Sequence, residues 1–280
     1  MSTKIFERFQ QATGQSAPPR IMIYGEPGVG KTSLACEFPN PVFLQTEDGL
    51  PDGVSVTASG KINSYADLIG LLAELYEQPH DFETVVLDSI TGLQPLVYAE
   101  TCARGDDNGT VYDDVNKIPY GKGLLLAMNP WREVLAALTD LRNDRGMGYV
   151  ILGHAVRESA KDPENPAYDR YNIAMQSSDK PNADARGMYI AEMDAVFFMK
   201  ENIVIKSETK AGTEAKTAKV TARIRAEGGQ YPIICTAGKP AYVAKSRFMP
   251  SLQREVRYNH GEGFNALAKH ISFYNAKTGE

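Results

Sequence analysis

Short apolar runs alternate with segments of helical hydrophobic spacing through the first 200 residues of the chain. A run of four or five apolar residues is typical of a buried strand, and apolar residues at every third or fourth position are typical of a helix. The runs predict strands at 20–24, 41–45, 84–88, 149–153 and 195–199. The helical spacing predicts helices at 31–38, 64–77, 93–102 and 124–142. Because strands alternate with helices, we expect an α/β fold with a mostly parallel sheet covered by helices.

The pattern changes after residue 200, where strand-like stretches follow one another without helical segments between them. They predict strands at 202–207, 217–225 and 231–235, and a short helix near 264–273. We therefore expect an antiparallel β extension on the parallel core. The domain organisation that follows is a flexible lead-in at 1–19, one large domain at 20–250 with its core at about 20–200 and its extension at about 201–250, and a C-terminal tail with a short helix at 251–280.

Two long polar segments separate the predicted elements. Residues 104–120 are acidic and contain glycine, and residues 155–187 are rich in proline, aspartate and asparagine. The second segment is longer than an ordinary connection, so we interpret it as a functional loop.

Composition narrows the class of protein. The chain has 280 residues, of which 42% are hydrophobic and 23% charged, and these fractions exclude a disordered or collagen-like chain. No apolar stretch is long enough for a membrane span and the first residues form no secretory leader, so we expect a cytoplasmic protein that does not bind membranes. The cysteines Cys36, Cys102 and Cys235 lie far apart, which argues against a disulfide framework or a zinc site.

Charge is unevenly distributed along the chain. The formal net charge is −5, whereas residues 200–260 carry 12 basic and 5 acidic side chains. A basic segment of this kind faces a polyanion or a neighbouring subunit's nucleotide, or it is simply a lysine-rich surface. The sequence leaves these interpretations open.

Residues Gly25-Glu-Pro-Gly-Val-Gly-Lys-Thr32 match the P-loop pattern G-x-x-x-x-G-K-[ST] between a predicted strand and a predicted helix. Backbone N–H groups of such a loop and the positive end of the helix wrap phosphates. Lys31 is expected to reach the β- and γ-phosphates, and the Thr32 hydroxyl to bind Mg²⁺. The expected nucleotide-binding residues are Gly25, Glu26, Pro27, Gly28, Val29, Gly30, Lys31, Thr32 and Ser33.

Three further polar residues follow predicted strands, at the edge where parallel strands end. Asp88 ends the strand at 84–88, and a carboxylate there is suited to polarise a metal-bound water, so we expect Thr32 and Asp88 to hold the metal. Glu47 lies just past the second strand and is a candidate to polarise the attacking water, with Asp48 as its rival. His154 follows the strand at 149–153 and is a candidate sensor of the γ-phosphate.

The order of these motifs, from the P-loop through Glu47 and Asp88-Ser89 to Val150-Ile-Leu-Gly-His154, resembles the RecA/RadA class of ATPases. In detail it resembles the phage-encoded RecA-like ATP-binding recombination proteins of the Sak group, over roughly residues 20–250. The resemblance implies a RecA-like core, ATP as the nucleotide, Glu47 as the catalytic carboxylate and His154 as the γ-phosphate sensor.

Residues Ala244-Lys-Ser-Arg-Phe248 resemble the Lys-Asn-Arg-Phe-Gly motif of bacterial RadA, with Ser246 in place of asparagine and Met249 in place of glycine. The resemblance implies that Lys245 and Arg247 reach the nucleotide of a neighbouring subunit, and hence a homo-oligomer with nucleotide sites at its subunit interfaces. A cation at the γ-phosphate would neutralise charge that develops in the transition state. The alternative is an ordinary basic turn.

The resemblance also implies binding of single-stranded DNA through two loops, which correspond to 104–120 and 155–187. The first is acidic, whereas the second combines cations and tyrosines with six acidic residues. Cations hold a nucleic-acid backbone and tyrosines stack on bases. The candidate DNA-binding residues are Arg157, Lys161, Arg170, Tyr171 and Arg186.

Two functions follow from this reading. The first is a DNA-stimulated ATPase of phage-type recombination, by annealing or strand exchange, or of replication, located in the host cytoplasm, with a single-strand DNA-binding protein as a candidate partner. The second is a nucleotide-gated switch or loader with a protein partner, which the acidic body of the chain favours. A GTPase is disfavoured because Asn116-Lys-Ile-Pro119 lacks the aspartate of a guanine-reading motif.

Overall fold

The computed structural model describes residues 17–50, 52–160, 164, 166–208, 223–248 and 251–278. Within these residues the chain forms a ten-stranded sheet. Its strands are β1 Arg20–Gly25, β2 Pro41–Gln45, β3 Thr57–Lys61, β4 Thr84–Asp88, β5 Gly148–Ala160, β6 Tyr168–Ile173, β7 Ala195–Glu208, β8 Arg223–Cys235, β9 Lys245–Ser246 and β10 Glu255–Arg257. The helices are α1 Lys31–Cys36, α2 Tyr65–Glu77, α3 Ile90–Arg104, α4 Gly123–Arg145, α5 Ala185–Glu192, α6 Gly263–Ala268 and α7 Ser272–Thr278.

The strand order confirms the predicted fold class. The sheet runs β10-β8-β7-β1-β5-β4-β2-β3, while β6 pairs with β5 and β9 pairs with β7. From β7 to β3 every pairing along this path is parallel, and β8, β9 and β10 pair antiparallel. β1, β2 and β4 therefore end at one edge of the sheet, where Gly25 lies beside His154 and Gln45 beside Asp88.

Helices cover both faces of the parallel strands, which explains why those strands are continuously apolar. In β1, Met22 and Tyr24 belong to the core that α2, α3 and α4 cover, whereas Ile21 and Ile23 belong to the core on the α1, α6 and α7 side. Trp131 of α4 is fully buried in the first core, and its Nε1 donates to Gln176 Oε1 at 3.1 Å. The parallel strands, whose ends carry the predicted site residues, thus lie between two helix-covered cores.

The prediction that residues 155–187 form a loop is wrong. Strand β5 continues past His154 to Ala160 and pairs antiparallel with β6, and α5 begins at Ala185. The prediction failed because most of the hairpin's strand residues after His154 are polar and are exposed or half-buried, so they form no apolar run.

Other element boundaries differ in smaller ways. The runs at 195–199 and 202–207 belong to the single strand β7, the helix near 264–273 is the pair α6 and α7, and β3 was not predicted because its side chains are mostly exposed. Residues 1–16 of the lead-in, Lys161 and residues 217–222 of a predicted strand lie outside the described residues. No described helix is both long and apolar enough to cross a membrane.

Candidate nucleotide-binding site

The P-loop connects β1 to α1 at the edge where the parallel strands end. Gly28 and Gly30 have φ angles of 80° and 93°, a left-handed conformation that glycine adopts without steric cost. Gly30 is the residue before the first turn of α1. The turn therefore places the loop N–H groups and the helix N-terminus around one concave space, as phosphate binding requires.

Lys31 lies beneath this loop and is buried. Its ammonium donates to the carbonyl oxygens of Gly25 at 3.1 Å and Glu26 at 2.9 Å. Burial lowers the pKa of Lys31, and the carboxylates of Asp88 and Glu47 oppose this effect. The ammonium is thus held at the base of the loop, within reach of a phosphate that enters it.

Thr32 and Asp88 meet on the next side of the pocket. The Thr32 hydroxyl donates to Asp88 Oδ2 at 2.9 Å. Burial raises the pKa of the Asp88 carboxyl, the Thr32 hydrogen bond opposes this effect, and the Glu47 charge reinforces it.

This donor set fits Mg²⁺ that arrives with a nucleotide. The described residues contain no group of three or more His, Cys, Asp or Glu side chains that could enclose a metal ion by themselves. Mg²⁺ is commonly held by one or two protein oxygens, by waters and by substrate phosphates, and a hydroxyl beside a carboxylate matches that requirement. The negative charge of Asp88 and Glu47 next to the phosphate loop also favours a bound cation.

Glu47 is fixed through both of its carboxylate oxygens. Oε1 accepts a hydrogen bond from the Ser89 hydroxyl at 2.8 Å, and Oε2 lies 2.8 Å from His154 Nε2. Its rival Asp48 instead pairs with Lys61 at 2.9 Å, and 77% of the Asp48 side chain is exposed. Glu47 is therefore the better placed of the two to act on a water in the pocket.

Most residues predicted for the nucleotide and both predicted for the metal line one pocket of about 340 Å³, whereas Gly25, Glu26 and Val29 do not line it. Glu47, Asp88 and His154 line the same pocket, and so does Asp48. The fold thus brings together residues that are separated by more than a hundred positions in the sequence.

Lys245 and Arg247 are not part of this pocket. Strand β9 pairs with Ala195 and Val196, the first residues of β7, whereas the P-loop's Gly25 lies beside Met199 further along that strand. Both side chains donate to the Ala191 carbonyl, at 3.1 Å and 3.2 Å, and the Arg247 side chain is 58% exposed. Burial, followed by the charge of Arg247, lowers the pKa of Lys245.

Four candidate DNA-binding residues fall within the described chain, and most of them are engaged internally. Arg170 and Arg186 both pair with Glu158, at 3.1 Å and 2.9 Å. The Tyr171 ring stacks on Phe198 with 5.2 Å between the centroids. Arg157 lies on the hairpin, 71% exposed and 3.6 Å from Asp169. The fifth candidate, Lys161, lies outside the described residues.

The residues that hold the site in place belong to no motif that the sequence displays. Ser89 binds Glu47, and the Thr91 hydroxyl accepts from the His154 backbone N–H at 3.0 Å. Thr46 exchanges hydrogen bonds with the Ser89 backbone at 2.6 Å and 2.9 Å. The one available signal was the position of Ser89, which directly follows Asp88 before a predicted helix, as an N-cap does.

Comparison with known proteins adds two findings. A family model described as an AAA domain matches residues 17–248. A solved structure titled "Crystal structure of the RadB recombinase" is 12% identical, with a TM-score of 0.40, and the match covers 66% of this chain and 76% of that chain. Comparison with curated proteins gives no match.

Proposed function

The chain belongs to the AAA-domain family, and from this premise we propose that it is a RecA-like ATPase that binds ATP with Mg²⁺ and hydrolyses it. The observation that carries the proposal is the position of Glu47. Ser89 and His154 hold its carboxylate on the pocket that Lys31, Thr32 and Asp88 also line or border. A fixed carboxylate across from a phosphate loop is the arrangement that water attack on a γ-phosphate needs.

In this proposal the chain's own groups divide the work. The loop N–H groups and Lys31 bind the phosphates, and Lys31 stabilises the charge that develops on them. Thr32 and Asp88 hold Mg²⁺, which supplies further charge neutralisation when it is bound. Glu47 orients a water and takes its proton as the water oxygen bonds to the γ-phosphorus. The bond from that phosphorus to the β–γ bridging oxygen breaks, and ADP and phosphate leave.

His154 has a second place in this scheme. Its Nε2 contacts Glu47 Oε2, and its backbone begins the part of β5 that extends into the hairpin with β6. We assign it the role of γ-phosphate sensor, because a phosphate that draws the imidazole away would alter both Glu47 and the hairpin.

We further propose that the assembled protein acts on single-stranded DNA in phage-type recombination or replication. Support comes from the motif resemblance, from the basic segment at 200–260 and from the exposed Arg157 on the hairpin. Lys245 and Arg247 lie away from their own pocket, as a contribution to a neighbouring subunit's nucleotide would require.

The protein-partner switch remains the second candidate, and a specific observation favours it. Glu158 occupies both Arg170 and Arg186, and Tyr171 stacks on Phe198. These side chains are thus less available to phosphates and bases than free ones would be.

The test is ATP turnover of the purified chain, with and without single-stranded DNA, over a series of protein concentrations. Glu47→Gln should lower turnover by about 100-fold or more while nucleotide binding persists. Asp48→Asn should lower it far less, and equal losses in the two variants would contradict the role of Glu47.

ATP turnover that rises with single-stranded DNA, and more than linearly with protein concentration, supports the recombination assembly. ATP turnover that does not change when DNA is added supports the nucleotide-gated switch with a protein partner.

A further inference from the structure

The Ser89 hydroxyl makes two hydrogen bonds with opposite roles. Its oxygen accepts from the Gly92 backbone N–H at 3.1 Å and thereby caps the N-terminus of α3. Its O–H donates to Glu47 Oε1 at 2.8 Å. Because the cap uses the oxygen as an acceptor, the single hydroxyl proton is left to bind the carboxylate.

The backbone that carries Ser89 is locked to the backbone that carries Glu47. The Thr46 hydroxyl donates to the Ser89 carbonyl at 2.6 Å and accepts from the Ser89 N–H at 2.9 Å. The Thr46 N–H in turn donates to the Asp88 carbonyl at 2.8 Å. Thr46 and Ser89 are both buried. The ends of β2 and β4 therefore form one unit, in which Glu47 keeps a fixed place relative to Asp88.

Gly92 leaves the space in which the Glu47 side chain lies. A Cβ at this position would be 2.6 Å from Glu47 Cγ and 2.6 Å from Thr46 Oγ1. Real Cβ atoms do not approach other heavy atoms so closely, so any side chain at residue 92 would displace Glu47 and the Thr46 hydroxyl that fixes the neighbouring backbone. The helix N-terminus beside this space also favours a carboxylate.

We infer that Ser89 and Gly92 are positioning residues for ATP hydrolysis: together they form a seat that aims the Glu47 carboxylate at the attacking water. Ser89 fixes Oε1, His154 fixes Oε2, and Gly92 supplies the room. The inference rests on the proposed function. Neither Ser89 nor Gly92 is among the described residues that line the nucleotide pocket, so the seat acts on turnover through Glu47 and not on nucleotide affinity.

The test compares Ser89→Ala and Gly92→Ala with the parent chain. Each variant should lower kcat by roughly 10- to 100-fold, because a displacement of about 1 Å has that effect on a catalytic group. The Kd for ATP with Mg²⁺, measured by equilibrium binding, should stay within about threefold, since the phosphate loop is untouched.

A matched control separates positioning from helix capping. Ser64 caps α2 as Ser89 caps α3, and its hydroxyl accepts from the Asp67 N–H at 3.1 Å. Ser64→Ala should lose thermal stability as Ser89→Ala does, and its kcat should equal that of the parent chain. An equal loss of kcat in both variants would overturn the inference.

A double variant distinguishes a positioning role of Ser89 from a purely structural one. If Ser89 acts through Glu47, then adding Ser89→Ala to Glu47→Gln should change the residual single-turnover rate by less than about twofold. If the rate losses of the two single variants multiply in the double variant, the positioning role of Ser89 is refuted.

The two proposals fail in different ways. No ATP turnover by the parent chain, or full turnover by Glu47→Gln, would refute the proposed hydrolysis mechanism itself. An active parent chain and an inactive Glu47→Gln variant, with Ser89→Ala and Gly92→Ala at the parent rate, would refute only the seat. If Ser89→Ala does not fold, Gly92→Ala decides, because it keeps the capping hydroxyl.

Discussion

Replacing Asp194 by asparagine breaks the ion pair that joins the first residue of β1 to the residue before β7. Asp194 Oδ2 accepts from the Arg20 backbone N–H at 3.0 Å and from its Nε at 3.2 Å, and Oδ1 accepts from a terminal guanidinium nitrogen at 2.8 Å. The two side chains are only 16% and 17% exposed. Burial by itself would raise the pKa of Asp194, but the bonds from Arg20 outweigh it and the pKa is lowered.

The magnitude follows from these contacts. Asparagine keeps the shape of Asp194 but turns an N–H₂ group toward the guanidinium in place of one oxygen, and it leaves Arg20 with only the exposed carboxylate of Glu192 as a countercharge. A hydrogen bond to a charged group contributes about 1.5–3 kcal/mol, and breaking a buried pair costs about 3–5 kcal/mol. For this largely buried pair we expect Asp194→Asn to lower the free energy of unfolding by about 2–4 kcal/mol. That is a large share of the free energy of unfolding of a typical protein domain, which is about 5–15 kcal/mol.

The same pair predicts a pH dependence. Because the folded pKa of Asp194 is depressed, its stabilisation is fully present above the unfolded value of about 3.9 and is lost as the pH falls through the folded value. The difference between the parent chain and Asp194→Asn should therefore stay constant from about pH 8 to pH 5 and narrow only below about pH 4.

Urea unfolding, followed by the fluorescence of the single tryptophan, Trp131, measures this difference. Glu192→Gln is the matched control, because Glu192 contacts the same Arg20 at 3.1 Å but is 53% exposed. It should cost less than about 1 kcal/mol. Equal losses in the two variants, or a difference that already changes between pH 8 and pH 5, would refute the reasoning.

Three further predictions concern the nucleotide site, the contact with a neighbouring subunit and the core. Lys31→Ala should abolish ATP turnover, measured by phosphate release, because the phosphates lose their buried cation. Hydrolysis that persists in this variant would contradict the P-loop assignment. Arg247→Ala should leave nucleotide binding intact but lower turnover at concentrations where the chain assembles; unchanged turnover there would remove its role at a neighbouring nucleotide. Trp131→Phe should lower the free energy of unfolding by about 2–4 kcal/mol in urea titrations read by circular dichroism, because it leaves a cavity and an unpaired Gln176 Oε1. A loss below about 0.5 kcal/mol would show that the hydrogen bond and packing seen there contribute little.

The nucleotide side of the site could be predicted because its residues are local in sequence. Lys31 and Thr32 belong to one contiguous motif, and Asp88 ends an apolar run that any parallel sheet would bury. Each of these assignments needs only the rule that parallel strands end at a common edge. The hairpin after His154 could not be predicted in this way, because most of its strand residues are polar and are exposed or half-buried.

The choice between Glu47 and Asp48 depended on contacts that no local pattern contains. Both carboxylates lie within three residues of the end of β2, so strand-end reasoning treats them alike. Their partners come from elsewhere in the fold: Ser89 follows β4, His154 lies on β5, and Lys61 ends β3, a strand with no apolar run. Asp48 also lines the nucleotide pocket, so its place beside that pocket does not distinguish it from Glu47. The two differ in their partners, because Ser89 and His154 fix the Glu47 carboxylate, whereas Asp48 pairs with Lys61 and is 77% exposed. The seat formed by Ser89 and Gly92 therefore tests the choice between the two carboxylates as well as the chemistry.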